Sequence, residues 1–153
     1  MSTGKHRELC ELGGKWLFKI NNWKVSCPFV CVELVCQGGI ENPDILGLRN
    51  TGTIMIEVKV SRSDFLRDKK KPTRQGDHPF AIGTQRYYMA PKGLIKKEEL
   101  PERWGLIEHH GGKKFTIVQD SDSFEESSEA VYGFYLSIMR REIGYKIFDF
   151  RNK

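Results

Sequence analysis

Apolar and polar residues follow a helical period near the start of the chain and a strand-like period in its middle. Between residues 6 and 19 the apolar positions recur at spacings of three and four, which predicts a helix with one apolar face. The pair Gly13–Gly14 lies inside this segment and weakens the predicted helix, because glycine has a low helix propensity. The apolar positions are Leu9, Leu12, Trp16 and, just beyond the segment, Ile20.

The clearest strand covers residues 53–61, where aliphatic residues occupy every second position and the other positions are mostly polar. This alternation predicts one buried aliphatic face and one face that carries charge. The aliphatic face consists of Ile54, Ile56, Val58 and Val60. Shorter patterns predict strands within residues 23–35 and at 45–48, 86–90, 104–108 and 115–118, and helices at 64–68 and 124–143.

Strands and helices in this order predict an α/β fold, with a mixed central sheet of four or five strands and helices on both faces. The length of 153 residues fits one domain, residues 1–153, and no internal repeat divides the chain.

Composition adds limits to this picture. The net charge of +5 favours a polyanionic partner without identifying one. No apolar stretch reaches the roughly 18–20 residues that a membrane helix needs, and the polar start lacks a signal-peptide pattern. We therefore expect a cytoplasmic protein that does not contact a membrane. The spacing of the four cysteines is looser than in common zinc motifs, so buried reduced thiols are favoured over a metal site.

Two acidic residues and a lysine form the candidate chemical site. Asp44 and Glu57 lie on either side of a predicted hairpin turn, so their carboxylates could converge on one divalent cation. Lys59 follows Glu57 by two positions and points to the same strand face. The backbone carbonyl of Val58 could be a third metal ligand. A bound metal would activate water against a phosphodiester, and Lys59 would orient that water or stabilise the charged transition state.

The same residues resemble the PD-(D/E)xK nuclease superfamily, which includes restriction-type endonucleases and Holliday-junction resolvases. Pro43-Asp44 matches the PD element and Glu57-Val58-Lys59 matches the (D/E)xK element. The segments 56–65, 86–95 and 100–108 resemble small DNA-repair members of that superfamily, and the likeness covers about residues 5–118.

This resemblance implies a restriction-endonuclease-like αβββαβ core and DNA cleavage that depends on Mg²⁺ or Mn²⁺. It also implies an acid on the first helix, for which Glu8 is preferred to Glu11 because it shares a helix face with Leu12 and Trp16. Gln85 is a further candidate, although a surface glutamine in a turn is an equal alternative. Many superfamily members dimerise to cut two strands, so a homodimer remains open.

A basic cluster follows Lys59 and is the predicted DNA-binding surface, because its side chains could contact phosphates beside the metal. A DNA-binding module with little cleavage of its own is the main alternative to a DNA endonuclease or repair nuclease. A third alternative is an interaction protein in which the motif is coincidental. The predicted DNA contacts are Arg62, Arg67, Lys69, Lys70, Lys71 and Arg74.

Overall fold

The structure, a computed structural model, describes residues 3–36, 41–76 and 78–142. Its α-helices are α1 (Gly4–Lys19), α2 (Arg62–Asp68) and α3 (Ser128–Glu142). Its strands are β1 (Phe29–Val32), β2 (Ile45–Arg49), β3 (Gly52–Val58), β4 (Gln85–Pro91), β5 (Gly105–His109) and β6 (Phe115–Gln119). Two 3₁₀ turns cover Pro72–Arg74 and Lys97–Glu99.

The six strands form one mixed sheet in which the spatial order equals the sequence order. β1, β2 and β3 form an antiparallel meander, β4 and β5 continue the sheet parallel to β3, and β6 is antiparallel to β5. The predicted α/β fold with a mixed central sheet is confirmed. Its first six α-helices and strands follow one another in the order αβββαβ. The sheet has six strands instead of four or five, because residues 29–32 and the hairpin at 105–119 both pair with it.

Apolar clusters cover both faces of the sheet, as predicted. On one face, Leu9 and Leu17 of α1 belong to the same buried cluster as Ile56 of β3. On the other face, Phe65 of α2 and Phe134 of α3 share a cluster with residues of the central strands. Burial of large apolar side chains on both sides is the main source of stability in such a layered fold.

The glycine pair in α1 lies where the helix comes closest to the sheet. A Cβ atom at Gly13 would stand 2.5 Å from Sδ of Met89, and one at Gly14 would stand 2.6 Å from Cγ2 of Val32. Both distances are shorter than real carbon contacts allow. Gly13 and Gly14 therefore weaken the prediction of a helix but are needed for its packing against the sheet. Their close contact brings the first turns of α1 near the ends of β2 and β3.

Two predicted elements have different bounds in the structure. β3 ends at Val58 instead of residue 61, and both of its faces are buried, since α2 and α3 cover the face that carries the charge. Glu57 on that face is only 7% exposed. The last predicted helix begins at Ser128 instead of residue 124, and its predicted last residue, 143, lies outside the described residues. None of the described helices is long and apolar enough to cross a bilayer.

Candidate active site

The hairpin of β2 and β3 brings Asp44 and Glu57 together. Ile45 pairs with Ile56, and the same antiparallel register continued by one residue places Asp44 opposite Glu57. Oδ2 of Asp44 accepts a hydrogen bond of 2.8 Å from the backbone N–H of Val58. Just before β2 begins, the Asp44 side chain therefore accepts the hydrogen bond from β3 that a backbone carbonyl of β2 would otherwise accept.

Lys59 points to the same site from the end of β3. Its Nζ lies 3.6 Å from Oε2 of Glu57 and 3.3 Å from Oδ1 of Asp68, and its side chain is 14% exposed. Its backbone N–H donates to the carbonyl of Met89, which extends the β3–β4 pairing past the strand end. Two ionic contacts and a fixed backbone hold the ammonium group beside the acidic pair.

The acidic pair and Lys59 line an open cleft of about 520 Å³ at this end of the sheet. An adjoining cleft of about 600 Å³ shares Asp44 and Lys59 with it. The walls of the first cleft also include Glu41, Lys71 and Thr73. A charged ligand of several atoms could therefore approach the three predicted residues from solvent.

Glu41 is a functional candidate that the sequence pattern does not reveal. It is 8% exposed, and its Oε1 accepts hydrogen bonds from Arg74 and from Oγ1 of Thr73. Its Oε2 is buried and has no hydrogen-bond partner. A buried, unpaired carboxylate oxygen is costly unless a further partner binds it. Glu41 sits in a loop without periodicity, so only the fold places it in the cleft with Asp44 and Glu57.

His6 is a second residue that the sequence analysis missed. It lies in the first turn of α1, and its Nε2 is 3.2 Å from Oδ2 of Asp44. The hydrogen bond to Asp44 raises the pKa of His6 above its usual value. Oδ1 of Asp44 has no partner among the described residues, so this oxygen remains open towards the cleft.

The first helix contributes His6 to the site, and the structure does not bring Glu8 there. Glu8 is exposed. Residues two apart on an α-helix point about 200° apart, so Glu8 faces away from the side on which His6 meets Asp44. Glu11 is also exposed and pairs with Arg7 at 3.5 Å. Gln85 begins β4 at the opposite end of the sheet and accepts a hydrogen bond from Arg49.

Arg74 is buried in the site, so its predicted role as a DNA contact is wrong. Its side chain has no exposed surface and pairs with Glu41, Asp68 and Glu57, with Nη2 lying 3.3 Å from Oε1 of Glu57. Its guanidinium also lies 5.0 Å from the centre of the Trp104 ring. Burial disfavours the charged form of Arg74, but the surrounding carboxylates raise its pKa above the usual range. The apparent basic loop contains a structural cation.

Burial and the nearby charge of Asp44 raise the pKa of Glu57, although Arg74 and Lys59 oppose this shift. Asp68 behaves in the opposite way. Burial acts to raise its pKa, but the charge and hydrogen bonds of Arg74 keep the pKa of Asp68 well below its usual range. Asp68 is a buried anchor for Lys59, Arg74 and the hydroxyl of Tyr88.

The remaining predicted DNA contacts differ in how freely their charges face solvent. Arg62 makes a bidentate pair with Glu99, with both distances 2.7 Å, and Arg67 pairs with Asp64. Lys69 is partly covered, with Nζ 5.6 Å from the centre of the Phe65 ring. Lys71 pairs with Asp68 but remains 55% exposed and lines the cleft. Lys70 is exposed and has no ionic partner among the described residues.

The described part of the chain contains all four cysteines, and each is buried, as predicted, and forms no disulfide.

Comparison with known proteins supports the fold and gives no function. No family model matches the chain, and no curated protein matches it. A solved structure of a protein of unknown function from Silicibacter pomeroyi is similar, with a TM-score of 0.52 and 21% sequence identity. The match covers 78% of this chain and 84% of that chain. At this identity the likeness indicates a shared fold and carries no information about activity.

Proposed function

We propose that the protein is a metal-dependent DNA nuclease with a restriction-endonuclease-like core. The observation that carries the proposal is the register that places Asp44 opposite Glu57, with Lys59 3.6 Å from Glu57 in an open cleft. The order αβββαβ agrees with such a core.

The donor atoms fit a hard divalent cation such as Mg²⁺ or Mn²⁺. Asp44 offers an unpaired Oδ1, and Glu41 adds a buried oxygen without a partner. Glu57 would complete a set of carboxylate oxygens, the ligand type that these ions prefer. The carbonyl of Val58 remains a predicted ligand next to the amide that binds Asp44. A bound ion would lower the pKa of a coordinated water and neutralise charge on the scissile phosphate.

Lys59 would act on the phosphate or on the attacking water, because its ammonium faces the cleft while Asp68 holds it from behind. Lys70 and Lys71 would contact neighbouring phosphates, since they are the most exposed lysines beside the cleft. These contacts would position any DNA backbone without selecting a sequence.

The proposal is tested by incubating the protein with duplex, branched and single-stranded DNA in Mg²⁺, in Mn²⁺ and in EDTA. We expect cleavage of at least one substrate with either metal and none in EDTA. The proposal would be contradicted if none of the substrates is cleaved and calorimetry detects no binding of Mn²⁺.

One observation favours a DNA-binding protein without cleavage as the second candidate. Both oxygens of Glu57 face cations of the chain itself, Arg74 and Lys59, so the protein neutralises this acid without a metal. This candidate predicts metal-independent, salt-sensitive DNA binding and no cleavage under any of the three conditions.

Lys59→Gln should lower the rate of cleavage at saturating metal by about 100- to 1,000-fold, which is the usual effect of removing one donor that stabilises transition-state charge. The affinity for Mn²⁺ should fall little, because the amide leaves the carboxylates in place. Single-turnover kinetics and calorimetry check the two parts separately. An equal loss of metal affinity and rate would indicate that Lys59 supports the acids instead of the reaction.

Replacing Lys70 and Lys71 with alanine should weaken DNA binding and lower the slope of log affinity against log salt by about 2, because each phosphate contact contributes about 0.9. Fluorescence anisotropy over a salt series measures this slope. The matched control replaces Lys15 and Lys19, which are exposed on α1 about 14 Å or more along the helix from His6. If the two double substitutions lower DNA affinity equally, the loss reflects the net charge of the protein and not phosphate contacts beside the cleft.

A further inference from the structure

Three potential ligands of different chemical type meet beside Asp44. A ring nitrogen of His6, the Sγ of Cys10 and a carboxylate oxygen of Glu33 lie within 4.8 Å of one another. His6 and Cys10 belong to α1, and Glu33 follows the last residue of β1. The proposed nuclease chemistry assigns no role to Cys10 or Glu33.

The helix fixes two of these ligands on one face. His6 and Cys10 are four residues apart, the spacing at which helical side chains lie above one another. Sγ of Cys10 is 3.7 Å from Nδ1 and 3.9 Å from Nε2 of His6. These separations agree with two atoms that share one ion at bond lengths of about 2.0–2.3 Å.

Glu33 is held against this pair by its backbone. Its N–H donates a hydrogen bond of 2.8 Å to the carbonyl of Asp44, and its φ of 52° lies in the left-handed region. Its carboxylate has no hydrogen-bond or ion-pair partner among the described residues. The third ligand is therefore positioned by the β1–β2 connection and remains available.

The bond between His6 and Asp44 gives the imidazole an orientation suited to a metal. Histidine ligands commonly donate their second ring N–H to a carboxylate, which fixes the ring and the tautomer. Nε2 of His6 lies 3.2 Å from Oδ2 of Asp44, and Nδ1 lies 3.7 Å from Sγ of Cys10.

We propose that His6, Cys10 and Glu33 form a binding site for a thiophilic divalent transition-metal ion, with Zn²⁺ as the natural occupant. Nitrogen and thiolate donors select such ions, whereas Mg²⁺ requires oxygen ligands. Three protein ligands leave one position of a tetrahedron for water. The site would connect the first turns of α1 to the end of β1 and would hold His6 against Asp44.

The test uses the full-length reduced protein and Co²⁺ as a spectroscopic probe, without DNA, so its result is independent of the proposed nuclease activity. We expect a near-ultraviolet thiolate-to-cobalt charge-transfer band that saturates at one equivalent. Zn²⁺ should displace this band and excess Mg²⁺ should not. Cys10→Ser should abolish the band, while the matched control Cys27→Ser, a second buried thiol, should retain it.

Glu33→Gln provides a variant on the surface, where loss of folding is not expected. It should keep the band but weaken Co²⁺ affinity by more than about tenfold. Removing a residue that only hydrogen-bonds to a metal ligand already lowers metal affinity by about that factor. The proposal is overturned if no band forms, or if Cys10→Ser and Cys27→Ser lose it equally. Unchanged Co²⁺ affinity in Glu33→Gln would also overturn the three-ligand site.

Discussion

Asp44→Asn should reduce metal-dependent DNA cleavage by more than about 100-fold. Mutating a residue that only supports a metal ligand already lowers activity by about 10- to 100-fold, and Asp44 is itself a proposed ligand. The amide can still accept the hydrogen bond from the N–H of Val58, so the start of β2 should keep its position. The substitution removes the negative charge opposite Glu57, which is the charge that a divalent ion requires. Cleavage assays across an Mn²⁺ series measure the loss.

Glu8→Gln is the matched control, because it removes one carboxylate from α1 at an exposed position away from the cleft. We expect its cleavage rate to equal that of the unaltered protein. DNA affinity in EDTA should change little in either variant. A strong loss of cleavage in Glu8→Gln would restore the helix acid predicted by the superfamily resemblance, and full activity in Asp44→Asn would contradict the proposed site.

Arg74→Met should lower the free energy of unfolding by about 3–5 kcal/mol, the usual cost of removing one partner from a buried ionic network. Methionine keeps much of the apolar contact with Trp104 but leaves Glu41, Asp68 and Glu57 without their shared cation. Urea unfolding at pH 7, followed by circular dichroism, measures the change.

Arg67→Met is the matched control for this substitution. The Arg67 side chain is 78% exposed and pairs with Asp64 at the surface, so its removal should change stability by about 0.5 kcal/mol or less. Similar effects of the two substitutions would show that the burial of Arg74 has no energetic importance.

Acid should reduce the difference between Arg74→Met and the unaltered protein. Arg74 holds the pKa of Asp68 below its unfolded value, so the stabilisation is present above that unfolded value and is lost as the pH falls. Without Arg74, ionisation of the Asp68 carboxylate should add little to the free energy of unfolding. The two unfolding free energies should therefore differ by a constant amount above about pH 4 and converge as the pH falls below that value. A difference that stays constant well below about pH 4 would contradict this explanation.

The local patterns of the sequence determined most of the elements and the relation of the motif residues. The period of the apolar residues predicted α1, β3 and the strands β5 and β6, since side-chain period and secondary structure are directly linked. The turn between β2 and β3 was also readable, and with it the approach of Asp44 to Glu57. The alternation of a strand placed Lys59 on the side of Glu57.

Only the tertiary structure decided which charged side chains face the cleft and which are buried. Arg74 reads as one more basic residue of a polar loop, yet it is buried because three carboxylates from separate segments surround it. His6 replaces Glu8 at the site because the glycine pair sets the rotation and depth of α1 against the sheet. Glu41 enters the cleft from an irregular loop. Such contacts join residues far apart in sequence, and periodicity carries information only about neighbours within one element.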